Sequence, residues 1–174
     1  SFSWREAQES EDNNVKLHNL AGQDILNTSN DMVDEWNFVD IAAGQYDNCY
    51  ALTYTGLINE YDSEGNLIFS FGGRAVSSER SGLFTYAAAI DIDNDGFIYV
   101  LDSERAFIQM FYPTEYAVLT HKAISQLKSA NYTESEATWV DLLKLNGMSR
   151  IAHNGYGKTL YLQQNYKEAM KHFK

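Results

Sequence analysis

The sequence is poor in the residues that punctuate and cross-link chains: of 174 residues one is proline, Pro113, and one is cysteine, Cys49. A single thiol forms no internal disulfide and no cysteine cluster, so a disulfide scaffold and a Cys-ligated zinc module are both excluded. The four histidines, His18, His121, His153 and His172, are scattered without ligand spacing. Positive charge is scarce too. Thirteen Lys and Arg face 24 Asp and Glu, a net charge of −11 that repels a phosphate backbone and argues against nucleic acid or anionic lipid as a partner. No run approaches the ~18 apolar residues of a membrane span, and Ser1-Phe2-Ser3-Trp4-Arg5 carries no signal-peptide pattern.

What is present suits a folded chain: 44% apolar and 21% charged residues exclude wholesale disorder, and aromatics reach 14%, with 12 Tyr. Two internal periods organise it. In the first half Tyr50 and Leu52 recur as Tyr99 and Leu101 at a spacing of 49, and Ile58 and Tyr61 recur as Ile108 and Phe111 at 50. Val39-Asp40-Ile41 recurs as Ile90-Asp91-Ile92 at 51. Each unit holds short alternating runs, such as Leu57 to Tyr61 and Leu67 to Phe71, that read as half-buried strands. The segments Asp62-Ser63-Glu64-Gly65-Asn66 and Asp93-Asn94-Asp95-Gly96 read as hairpin turns, because Asn, Asp and Gly tolerate positive φ. Repeated short strands of this spacing are the sequence pattern of propeller blades.

From Tyr116 the period becomes 34, with Asn131-Tyr132-Thr133-Glu134 matching Asn165-Tyr166-Lys167-Glu168, Ser135 matching Ala169 and Trp139 matching Phe173. Leu119, Ala123 and Leu127, then Ala152, Tyr156 and Leu160, form i, i+4, i+8 stripes, and Tyr166, Ala169, Met170 and Phe173 continue the pattern, so the unit reads as helix–turn–helix with core-facing stripes. Small residues at Ala123 and Gly157 allow close helix approach. Thr114 is placed to cap the first helix after Pro113. Asn131 and Asn165, each three residues before a Glu, read as capping boxes that start the second helix of each pair.

The run Phe71-Gly72-Gly73, Ser81-Gly82-Leu83-Phe84, Ala89-Ile90-Asp91-Ile92-Asp93, Asp95 to Asp102 and Ile108 to Phe111 resembles the NHL repeat, with Tyr86-Ala87-Ala88 where that family usually has a proline. The 34-residue units resemble tetratricopeptide repeats through Gly157, Tyr166, Ala169 and Phe173, the first copy departing at Ser135 and Trp139. The resemblance implies a β + α chain: a partial β-propeller followed by two tetratricopeptide-like helical hairpins. Its expected divisions are a blade remnant with an acidic loop over residues 1–34, two blades over 35–113, and two helix pairs over 114–174, the second truncated. Two blades and a remnant do not close a propeller, which takes at least about four, so the chain is expected to be an internal piece of a larger protein whose remaining blades are its neighbours. The whole is similar to bacterial proteins combining both repeats, which implies a membrane-anchored parent at the outer face of the cell.

Chemistry-bearing patterns are sparse. Ala152 to Thr159 fits a loosened phosphate-loop pattern ending in Gly157-Lys158-Thr159, but no buried strand precedes it and the 34-residue register places Gly157 inside a helix. Asp91, Asp93 and Asp95 with Gly96 and Asp102 imitate a calcium loop, yet strands rather than helices flank them, and an acidic hairpin turn is the simpler reading. Asn27-Thr28-Ser29 and Asn131-Tyr132-Thr133 match a glycosylation sequon. No Gly-x-Ser-x-Gly or His-Glu-x-x-His is present, and no cofactor, metal site or catalytic set is assigned.

The expectation is a non-enzymatic module binding a protein or peptide. His121, Asn154 and Lys158, polar residues on the first helix of each pair, are its candidate contacts. The competing expectation is a metal-dependent hydrolase of the gluconolactonase type, with Asp40, Asp91 or Glu60 as channel carboxylates.

Overall fold

A computed structural model describes residue 18 and residues 20–23, 38–77 and 80–173. The chain divides into two compact units between Met110 and Phe111. The hairpin expected over residues 15–26 and the acidic loop before it lie outside the described residues except at 18 and 20–23, as do the sequon at Asn27 and Lys174.

The first unit is antiparallel β. Strands β1 (Phe38–Ala43), β2 (Cys49–Thr53), β3 (Leu57–Tyr61) and β4 (Leu67–Gly72) form a four-stranded meander, and β5 (Ala87–Ile92), β6 (Ile98–Asp102) and β7 (Phe107–Phe111) form a three-stranded one. The hairpin turns follow from their residues. Asp62 Oδ1 accepts the N–H groups of Glu64 and Asn66, both at 2.9 Å. Asp93 Oδ1 accepts those of Asp95 and Phe97 at the same distance. The glycine that closes each turn, Gly65 or Gly96, sits at φ 82°, where a side chain would be strained.

The period of two sorts each strand into two faces. Asp40 pairs across with Leu52, and Tyr50 with Glu60; Tyr50, Leu52, Ile58 and Glu60 are all buried. In the second sheet Ile90 pairs with Val100, and Ile92 with Ile98, and Ile90, Val100 and Ile98 are buried. These two faces meet where β1 and β2 pack on β5. Asp40 Oδ2 accepts the Ile90 N–H at 2.9 Å across the junction, and the Gln45 amide donates to the carbonyls of Asp93, at 3.3 Å, and Asn94. On its other face the first sheet packs Ala51 and Tyr61 with Phe38, Cys49 and Leu67.

The second unit is helical: α1 (Glu115–Lys128), α2 (Tyr132–Leu145), α3 (Arg150–Leu162) and the short α4 (Tyr166–Ala169). The 34-residue spacing recurs in the backbone. Ala130 and Gln164 both take positive φ, 59° and 64°, and the N–H groups of Asn131 and Asn165 reach back to the carbonyls of Gln126 and Leu160, each at 2.9 Å. Thr114 and Ser149 cap α1 and α3, accepting from the N–H groups of Ala117 and Ala152. The core joins Ala123, Trp139, Leu142 and Ala152, with Tyr116, Leu119 and Tyr156 around them. Gly155 makes room for the Trp139 ring, which an added Cβ would overlap, and a Cβ on Gly157 would stand 2.9 Å from the Phe173 ring.

Two local expectations are corrected. Asn131 and Asn165 make no side-chain cap hydrogen bond. The left-handed residue before each one leaves it at ψ 66° or 63°, and only its carbonyl joins the helix, accepting the N–H of Ser135 or Ala169. The stripe from Tyr166 to Phe173 is buried only at Ala169. Met170 is 73% exposed, and the chain tightens after Ala169 into i+3 hydrogen bonds from Lys171 and His172 instead of continuing as a helix. At fold level the chain is β + α, two antiparallel sheets followed by four helices, with no closed ring of sheets among the described residues.

Candidate functional site

Helix α3 carries an exposed polar row. Arg150, Asn154 and Lys158 stand at i, i+4 and i+8 and are all exposed, while Ala152, Gly157, Thr159 and Leu160 on the same helix are buried. One helix face is thereby given to the core and the other to water. Tyr161, 57% exposed, extends the row and packs edge-on against Tyr166 with ring centroids 5.3 Å apart. Two cations, an amide and a tyrosine along one ridge suit carboxylates and main-chain carbonyls of an extended segment. Asn154 and Lys158, the candidates from sequence, stand in this row, and Arg150 and Tyr161, which the sequence reading did not single out, share it. Their spacing from Asn154 was the available signal.

His121 is placed differently. It lies on α1 with 5% exposure, so it faces the interior and not the solvent row. The 34-residue equivalents of Asn154 and Lys158 are Thr120, fully buried, and Ile124, half-buried. The row therefore has no exposed counterpart at matching positions of α1, whose exposed polar residues, Glu115, Lys122, Ser125 and Lys128, stand at other positions.

Beside α3 lies a histidine pair that sequence spacing did not reveal. His153 Nδ1 and His172 Nδ1 are 3.0 Å apart, and His153 Nε2 lies 3.1 Å from the Gly147 carbonyl oxygen. A carbonyl oxygen only accepts, so His153 Nε2 carries the proton and its Nδ1 accepts from His172. The His172 ring also leans on Tyr156 at 4.4 Å. Burial, then the neighbouring His153, holds His172 below the ordinary imidazole range.

The carboxylates singled out in the first unit are engaged separately. Asp93 accepts main-chain N–H groups and the Tyr99 hydroxyl at 2.8 Å; burial pushes it up, but these bonds outweigh that and hold it low. Asp102 accepts from Thr85, Tyr86 and Arg105, and Asp40 from Ile41 and Ile90. Glu60, buried, accepts from the Asn48 amide at 2.5 Å, and Asn48 also bonds Tyr50, whose phenol is pushed up by burial and by Glu60. Burial, aided by Glu60 and Asp62, likewise raises the Cys49 thiol to about 11. Among the described residues no three His, Cys, Asp or Glu side chains converge as a metal would need. The phosphate-loop pattern falls inside α3, helical from Arg150 to Leu162, so its N–H groups are spent on helical bonds and cradle nothing.

No described helix is long and apolar enough to cross a membrane. No protein-family model and no curated protein sequence matches the chain.

Proposed function

We propose that the chain is a protein- or peptide-binding module of an extracytoplasmic scaffold or sensor, its sheets blades of NHL type and its helix pairs tetratricopeptide-like. The observation that carries the reading is the exposed row Arg150, Asn154 and Lys158 on α3, backed by a packed core and continued by Tyr161. A ridge of fixed donors on a rigid helix selects a partner segment rich in acceptors, and in a chain of net charge −11 these local cations give an acidic segment a defined place to bind. The hydrolase alternative draws no support from the carboxylates, since Asp40 bridges the sheets, Glu60 is buried against Asn48, and Asp91 stands exposed.

The test is fluorescence anisotropy with a panel of extended acidic peptides, using the full chain. Replacing Arg150 and Lys158 together by Ala is expected to weaken capture by about tenfold or more, since each lost charge-assisted bond is worth roughly 1.5–3 kcal/mol. Capture left unchanged by that pair, and by Asn154→Ala with Lys158→Ala, would place the binding surface elsewhere.

A further inference from the structure

The contact between His153 and His172 brings two ring nitrogens together, and the groups behind each ring hold it in place. His153 Nε2 donates to the carbonyl of Gly147, in the turn between α2 and α3, at 3.1 Å. A main-chain carbonyl in that position is what fixes the tautomer of a metal-binding imidazole, and it leaves the His153 Nδ1 lone pair toward His172. The His172 ring leans on Tyr156, with centroids 4.4 Å apart, and the Tyr156 hydroxyl donates to Glu136 at 3.3 Å. His172 Nε2 has no hydrogen-bond partner among the described residues, so it is open to take over the proton that Nδ1 now donates to His153. After that shift both Nδ1 atoms offer a lone pair, 3.0 Å apart, on two half-buried side chains that water still reaches.

We propose that His153 and His172 form a labile site for Cu²⁺, each coordinating through Nδ1, with water in the remaining positions. The separation selects the metal. Imidazole nitrogens lie about 2.0–2.1 Å from such a cation, and at that length two of them 3.0 Å apart subtend about 95°. That is close to the right angle between neighbouring ligands of tetragonal copper, whereas tetrahedral zinc needs a separation of about 3.4 Å. Copper also stands highest among the divalent first-row metals in affinity for nitrogen ligands. On binding, the His172 proton leaves Nδ1 for solvent and another arrives on Nε2, so the neutral pair displaces water from the cation and releases no net proton. Three converging side chains would retain a metal permanently, and the described residues offer no such set. Two make an exchangeable site, filled according to the free cation concentration. The positive charge of the neighbouring Lys171 is already paired with Glu168, at 2.7 Å, and the net charge of −11 favours a cation. This inference stands on the histidine contact alone and is independent of the peptide-binding reading.

Titration of the full chain with Cu²⁺ alone, over about 0.1–100 μM and at about pH 7.5, above the ordinary imidazole range, tests it. One equivalent is expected to bind ahead of any other, and its paramagnetic resonance spectrum should show coupling to two nitrogens. Amides of residues 166–173 should gain hydrogen-exchange protection with bound copper, because the cation ties that segment to α3. His153→Gln and His172→Gln should each weaken the first equivalent by at least the ~10-fold that loss of an outer-shell partner costs a metal site. His18→Gln, at an exposed position elsewhere, should leave it unchanged. Near-UV circular dichroism checks that each variant keeps its fold, and the nitrogen coupling of the wild-type chain is read without any variant. A spectrum with one coupled nitrogen or none overturns the proposal. So does a first equivalent that survives His172→Gln, or uptake only at several equal weak sites, which is adventitious copper only.

Discussion

Asp102 and His172 show two ways in which a side chain's charge is set here. Asp102 accepts the N–H groups of Thr85 at 2.7 Å, Arg105 at 3.1 Å and Tyr86 at 3.3 Å, tying the approach to β5 to the turn after β6. Burial pushes its carboxyl up, and these bonds with the nearby Arg105 more than reverse that. His172 runs the other way, since burial and the His153 ring, with Lys171, oppose its protonation and only Glu168 favours it. An imidazole held below its unfolded value of 6.5 contributes stability that is complete above that pH and is lost as pH falls through it toward the lower folded value. The amides of residues 166–173 are therefore expected to lose hydrogen-exchange protection between pH 7.5 and 5.5. His172→Gln should flatten that dependence, and a segment equally protected at both pH values would contradict it.

Elements repeat more faithfully in their turns than in their faces. Ala130 and Gln164 hold left-handed conformations without being glycine, each at about the cost an L-residue bears there, roughly 1 kcal/mol. Ala130→Gly is accordingly expected to stabilise the α1–α2 turn by about 0.5–1 kcal/mol, read as a higher midpoint in thermal unfolding followed by helical circular dichroism. The turns, strands and helices were legible because their signals are local: Asp93 with Gly96, Thr114 after Pro113, and the stripe Leu119, Ala123, Leu127 each act within a few residues. The failed capping boxes show the limit of local reading, since the left-handed residue before Asn131 redirects its backbone and no side-chain rule encodes that. Tertiary surroundings hid the rest. His121 and Thr120 look polar and available in sequence yet are buried, and the His153–His172 contact joins residues 19 apart through a turn that the helical stripe did not foretell.

At the scale of the whole molecule a net charge of −11 surrounds the cations of the α3 row. Raising salt from about 20 to 300 mM shortens the Debye length from roughly 20 Å to below 8 Å and screens the pairing of Arg150 and Lys158 with carboxylates. Capture of acidic peptides by Arg150 and Lys158 should weaken over the same range. Anisotropy in matched buffers checks the sign, and capture that strengthens with salt would mean that the surface has been misassigned. The same molecule holds a single thiol, Cys49, raised to about 11 by burial and its acidic neighbours. At neutral pH it is almost entirely protonated and slow toward alkylating reagents. A cysteine introduced on the α3 ridge can therefore carry a dye or spin label with the native Cys49 left in place, which makes that surface observable on its own.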